Sequence, residues 1–143
     1  MPTSGVKPNE GQPVRHRVKP VHQWTEVEDK PFYGRRHLPK VQPDGRPWPE
    51  ATKQWWRAIS QMPHCRLWKR ADWQFALDTA LVAASFHSGE IKQAVELRQR
   101  EKVMGTTLDA RRDLRIRYVE PRPKEERAGI TAIEEYRQRL GEE

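Results

Sequence analysis

A chain of 143 residues with 27 Lys+Arg against 20 Asp+Glu, a formal net charge of +7, has room for one folded domain with tails. Only 35% of its residues are hydrophobic, 33% are charged and 12 are proline, too thin an apolar supply for one core spread over the whole length. With one cysteine, scattered glycines and no long apolar run, the composition excludes a disulfide scaffold, a glycine-rich nucleotide loop and a membrane span.

Residues 1–47 read as an extended, basic, Pro-rich arm. Nine of the twelve prolines fall within residues 1–49. Proline removes amide donors and holds its neighbours out of the helical region. Prolines and charges also interrupt the first thirty residues where a secretory signal needs an apolar stretch, so cytoplasmic residence is expected. The alternation around Val21–Val27 suits a strand, given a partner surface. Arg15, Arg17, Arg35 and Arg36, with Lys19, supply the arm's charge.

Residues 48–119 are expected to form the helical core. Pro49 suits a first helical position and Glu50 adds negative charge to the first turn. Trp55, Ile59 and Met62 recur at helical spacing until Pro63 ends the segment. A second helix is predicted from about Leu67 to His87, closed by Ser88-Gly89, and a third from about Glu90 to Met104, closed by Gly105. Thr106 with Asp109 resembles a capping box for a fourth, Leu108–Tyr118. Within it, Asp113–Val119 alternates apolar and Arg positions and equally suits a short strand. The tight Ser88-Gly89 link folds the third helix back on the second. The expected fold class is therefore all-α, a short helical domain around a central antiparallel hairpin. Residues 120–143 carry a net charge of −2 and read as a charged helical tail, with Thr131 and Glu134 as its cap and Ile133, Tyr136 and Leu140 on one stripe.

The second helix is the most informative segment. Residues 73–89 contain one charge, Asp78. Trp73, Leu77, Ala80 and Ala84 fall on one face, and Phe75, Val82 and Phe86 almost opposite. A helix apolar on two sides must be covered on both, and each buried Phe or Leu is worth roughly 1.5–3 kcal/mol. Either the other helices wrap it as a central core element, or a second copy covers it. On the second reading Trp73, Phe75, Leu77, Leu81, Val82 and Phe86 form an oligomer interface, as a homo-oligomer would need.

Catalysis finds no constellation. His64 and Cys65 are adjacent, and neighbours in sequence seldom point at each other. His16, His22, His37 and His87 lack metal-ligand spacing, and Asp72 and Asp78 stand at i and i+6. No catalytic residue, metal or cofactor is assigned. Nucleic-acid binding has residues to carry it. Arg111, Arg112, Arg115 and Arg117 crowd into seven positions diluted only by Asp113, and Arg15, Arg17, Arg35 and Arg36 of the arm form a second candidate DNA-binding set. Guanidinium groups of this kind make phosphate contacts, which are sequence-independent and salt-sensitive. Trp55, Trp56, Trp68 and Trp73 lie at core spacing rather than as a base-stacking platform. A helix-turn-helix with Pro63–Arg66 as its turn fails, because the would-be recognition helix is apolar on both faces.

Four short motifs then occur in order. They are Trp48, Thr52, Trp55 and Trp56; Asp72 and Trp73; Glu96, Leu97, Arg98 and Arg100; and Gly105, Thr107, Arg111, Leu114 and Arg115. Over about half its length the chain resembles the small terminase subunits of tailed phages infecting actinobacteria, departing at Phe75-Ala76-Leu77, where the bulky position is expected a residue earlier or later, and at Leu108, where that family often has proline. The resemblance implies a non-catalytic homo-oligomeric ring without cofactors, acting in the cytoplasm of an infected bacterial host. It implies two further partners, double-stranded viral DNA at the packaging-initiation site and the large terminase subunit with its ATPase and nuclease. The acidic tail would then dock the motor or extend the ring. A helical protein–protein adaptor without nucleic-acid binding, and an RNA-associated accessory protein, are the alternatives.

Overall fold

The computed structural model describes residues 23–123 and 132–139. Helix α1 (Glu50–Ser60) starts directly behind Pro49, and the chain then tightens into a 3-10 turn, Pro63–Leu67. That turn delays α2 (Arg70–His87) by three residues relative to expectation. Asp72 caps it, its carboxylate accepting the Lys69 amide at 2.7 Å. Gly89, at φ +110°, turns the chain into α3 (Gln93–Met104), which Gly105 ends in the left-handed region at φ +74°. Thr107, one residue after the expected cap, opens α4 (Leu108–Asp113), its Oγ1 accepting the Ala110 amide at 3.2 Å.

Helix α4 is half as long as the sequence pattern suggests, because Arg115 takes a left-handed conformation (φ 55°) and turns the chain out of it. The next residues form strand β2 (Ile116–Val119), paired in parallel with β1 (Thr25–Glu28) in the register Thr25↔Ile116 to Glu28↔Val119. The all-α expectation is corrected here: the domain is mostly helical with a two-stranded parallel sheet. Of the two readings that Asp113–Val119 allowed, the strand holds from Ile116 onward, and the arm supplies the partner that the Val21–Val27 alternation requires. Val27 and Tyr118, partners in register, share the face turned to the 3-10 turn.

The core gathers Trp48, Trp56, Ile59, Cys65, Trp73, Ala76, Ala80, Ala84 and Met104. Helix α2 is wedged between α1 and α3. Trp73 meets Trp56 of α1 with ring centroids 6.3 Å apart, while Arg100 of α3 lies 5.4 Å over the Phe75 ring. Trp73 and Phe75 stand about 200° apart around the helix. Both apolar faces thus meet other elements of the same chain, the Trp73 face closely and the Phe75 face in part. The Trp73 face is closed because alanines at 76, 80, 83 and 84 let its neighbours approach closely, and because the arm adds Phe32 and Leu38. Trp73, at 5% exposure, belongs to this chain's own core, packed also on Trp68 (4.9 Å) and Phe32 (6.2 Å). Phe75, Leu77, Val82 and Phe86 are half-buried, and Leu81, 37% exposed, faces outward. Helical residues 132–139 are exposed, Ile133 and Tyr136 included; Thr131 and Leu140 lie outside the described residues.

Candidate nucleic-acid interface

The two basic sets anticipated from sequence meet different fates. The cluster after α3 is largely engaged within the chain. Arg111 Nη1 donates to the carbonyls of Gly105 (3.2 Å) and Thr106 (3.1 Å), and its guanidinium lies 4.8 Å over the Tyr118 ring. Arg117 pairs with Glu26 across the sheet and lies 5.8 Å over Trp24. Arg112 and Arg115 are half-buried, and the Arg115 carbonyl accepts the Thr25 amide at 2.8 Å, the first rung of the sheet. Four arginines in seven residues suggest a phosphate-contact stripe; two of them have protein partners that compete for the same guanidinium groups.

Beneath Arg111 lies a buried polar knot. His64 is 1% exposed, with Nε2 2.8 Å from the Met104 carbonyl and Nδ1 2.6 Å from the Tyr118 hydroxyl. A carbonyl only accepts, so Nε2 carries the proton and Tyr118 donates to Nδ1. Burial, and secondarily the Arg111 charge, hold the His64 pKa below its ordinary value. Burial also pushes the Tyr118 phenol up to about 12. Cys65 Sγ donates to the Ile59 carbonyl at 3.1 Å, and burial pushes its thiol up to about 12, far from a nucleophile at neutral pH. His64 and Cys65, neighbours in sequence, serve separate partners.

The arm set is assembled differently. Arg15 and Arg17 lie outside the described residues. Residues 31–47 run over the helices as a strap. Phe32 stacks on Trp73, and its amide donates to the Gln61 carbonyl at 3.0 Å. Trp56 Nε1 donates to the Arg36 carbonyl (2.9 Å) and Trp48 Nε1 to the Pro39 carbonyl (2.8 Å). Between strap and α1 opens a groove of about 280 Å³, lined by Arg35, His37 and Lys40 on one side and Lys53 and Arg57 on the other, with Trp48 and Trp56 between them. None of its lining residues is acidic. Glu50 approaches Lys53 to 3.6 Å from outside, an exposed pair worth at most about 1 kcal/mol and open to exchange for a phosphate. Arg36 leaves its side chain exposed beside the groove.

Sequence reading named Arg35 and Arg36 and missed Lys40, Lys53 and Arg57. The i, i+4 spacing of Lys53 and Arg57 on α1 was legible; their apposition to the arm was not. Among the described residues no helix is long and apolar enough to cross a membrane, and no three His, Cys, Asp or Glu side chains cluster to hold a metal ion.

The family model for the phage terminase small subunit matches residues 3–141, so the chain belongs to that family, whose role is DNA packaging. No curated protein and no solved structure matches the chain.

Proposed function

We propose that this small terminase subunit recognises viral double-stranded DNA for packaging by gripping phosphates in the groove between strap and α1, and that it does so as a homo-oligomeric ring that regulates the large terminase subunit in the infected host cell. Family membership supports the packaging role and both partners, and small terminase subunits are generally non-catalytic. The observation that carries the DNA reading is the groove: four formal positive charges, Arg35, Lys40, Lys53 and Arg57, converge from two elements with no carboxylate in the lining. Convergent cations of this kind neutralise phosphates and release counterions without reading bases. Arg112, Arg115, Arg15, Arg17 and Arg36 are second-rank contacts. Arg111 and Arg117 would have to give up internal partners to join them.

Ring assembly rests on the family and on avidity, since repeated weak contacts let a chain of net charge +7 hold DNA firmly. Surfaces available to neighbouring copies include the outer strip of α2 around Leu81, with half-buried Phe75, Val82 and Phe86, and the exposed Ile91, Val95, Val103 and Leu108.

Anisotropy of a labelled duplex titrated with the native protein at several salt concentrations tests the DNA reading. Affinity is expected to fall steeply with salt, and Lys53→Gln with Arg57→Gln to flatten that dependence by about 0.9 for each phosphate left unneutralised. A double variant with unchanged affinity and slope removes the groove from the interface. Light scattering coupled to size exclusion tests assembly: a mass several times 16.9 kDa is expected, and a monomer at micromolar concentration overturns the ring.

A further inference from the structure

The groove exists only while an extended, proline-containing strap keeps its place on α1, and beside the packing of Phe32 and Leu38 two indole hydrogen bonds hold it there. Trp48 and Trp56 are 5% and 4% exposed, so their indole N–H groups need partners inside the protein. Both find them in strap carbonyls, at Pro39 and Arg36 respectively. The order of the contacts shows that the strap runs antiparallel to α1. Trp48 just ahead of α1 thus holds the later strap carbonyl, and Trp56 within α1 the earlier one. Arg35, His37 and Lys40 flank the pinned carbonyls; Lys53 lies between the two tryptophans in sequence and Arg57 directly follows the second.

We infer that Trp48 and Trp56 are positioning residues for phosphate recognition: their indole hydrogen bonds hold the strap so that its basic side chains are already set opposite Lys53 and Arg57 when DNA arrives. The inference rests on the proposed DNA reading and specifies how the groove is kept in its binding shape. A loop ordered before binding does not lose that ordering entropy on binding. Unpinned, the strap would carry the same charges, but spread over many arrangements.

The test compares Trp48→Phe and Trp56→Phe with Trp55→Phe. Each removes one indole donor and keeps an aromatic ring and the net charge, but Trp55 Nε1 bonds the Glu101 carboxylate of α3 at 2.7 Å, away from the strap. Duplex affinity is expected to fall about fivefold or more, and the salt slope to flatten by about one phosphate's worth, in the first two variants. The Trp55→Phe variant should keep both. A general loss of stability would not change the salt slope of the folded fraction. Folded Trp48→Phe and Trp56→Phe proteins with wild-type affinity and slope overturn the inference, as does an equal loss in Trp55→Phe. If those variants bind normally while Lys53→Gln with Arg57→Gln weakens binding, the groove stands and the pins do not; if neither set has an effect, the groove itself fails. A measurement on the unaltered protein covers variants that do not fold. Duplex DNA should slow hydrogen exchange at the Trp48 and Trp56 indoles and leave the Trp55 indole unchanged, and unchanged exchange at all three overturns the inference.

Discussion

The Nδ1 atom of His64 stands 2.6 Å from the Tyr118 hydroxyl, joining the 3-10 turn to the sheet through a histidine whose other nitrogen is committed to the Met104 carbonyl. The consequence is a pH-dependent stability. The His64 pKa is held below its ordinary value in the folded chain, so the unfolded chain binds more protons as the pH drops. Above about pH 6.5 both states are neutral and stability is flat; below it stability falls, by up to about 1.4 kcal/mol per pH unit, until the folded-state pKa is reached. Thermal denaturation across about pH 7.5–5.5, a window that brackets the ordinary histidine value, should show this decline in the wild-type chain and a flatter profile in His64→Gln. Parallel profiles would mean that His64 does not carry the dependence.

Tyr118 contributes one hydroxyl to that knot, and the cost of removing it can be isolated. Tyr118→Phe leaves the buried Nδ1 of His64 without its donor, which costs about 1–3 kcal/mol. Because both residues belong to one network, the double variant with His64→Gln should be less destabilised than the sum of the single changes. Chemical denaturation of all three variants and the wild type gives the coupling, and strict additivity would separate the two side chains energetically.

Gly105 sits against the same histidine. Its φ of +74° lies where a side chain is strained, and a Cβ built there would lie 3.1 Å from His64 Nε2 and 3.2 Å from Leu114 Cδ1. Gly105→Ala therefore carries the left-handed penalty of about 1–2 kcal/mol and crowding besides. Gly89→Ala has a positive φ (+110°) with open space around the Cβ, so its destabilisation comes from backbone strain alone. The expected order of melting temperatures is wild type, then Gly89→Ala, then Gly105→Ala.

These residues also show which part of the molecule the sequence discloses. The motifs that carry the family resemblance are mostly scaffold: Trp48 and Trp56 bond the strap, Thr52 Oγ1 meets His87 Nδ1 at 2.8 Å, Asp72 caps α2, Glu96 pairs with Arg100, and Thr107 caps α4. The C-terminal ends of α1, α2 and α3 were legible because Pro63, Gly89 and Gly105 impose local backbone constraints. The sheet was half legible. Alternation appeared at both strands, but pairing residues 25–28 with 116–119 is a long-range relationship that no local pattern specifies. The arm's share in packing α2 was illegible for a related reason: counting apolar residues in the core segment leaves out Phe32 and Leu38, which the arm brings back. The groove escaped because its cations come from two segments that carry no signal until they are apposed.

Arg111 and the pair Lys53 and Arg57 give the sharpest contrast between scaffold and site. Arg111 holds two backbone carbonyls at the end of α3 and covers the Tyr118 ring. Arg111→Ala should destabilise the fold by about 1–2 kcal/mol, through charged hydrogen bonds and a partly exposed cation–π contact. Its duplex affinity, measured well below the melting temperature, should stay near wild type. Lys53 and Arg57 project from the exposed side of α1. Changing both to Ala should move stability by no more than about 0.5 kcal/mol each and cut duplex affinity, with the salt slope falling by about 1.8 for two phosphates. The same two assays on the same two proteins decide the assignment. If Arg111→Ala loses DNA affinity and salt slope while the fold keeps its stability, the interface belongs to the arginine cluster that the sequence puts forward, and the groove between strap and α1 is only a basic surface.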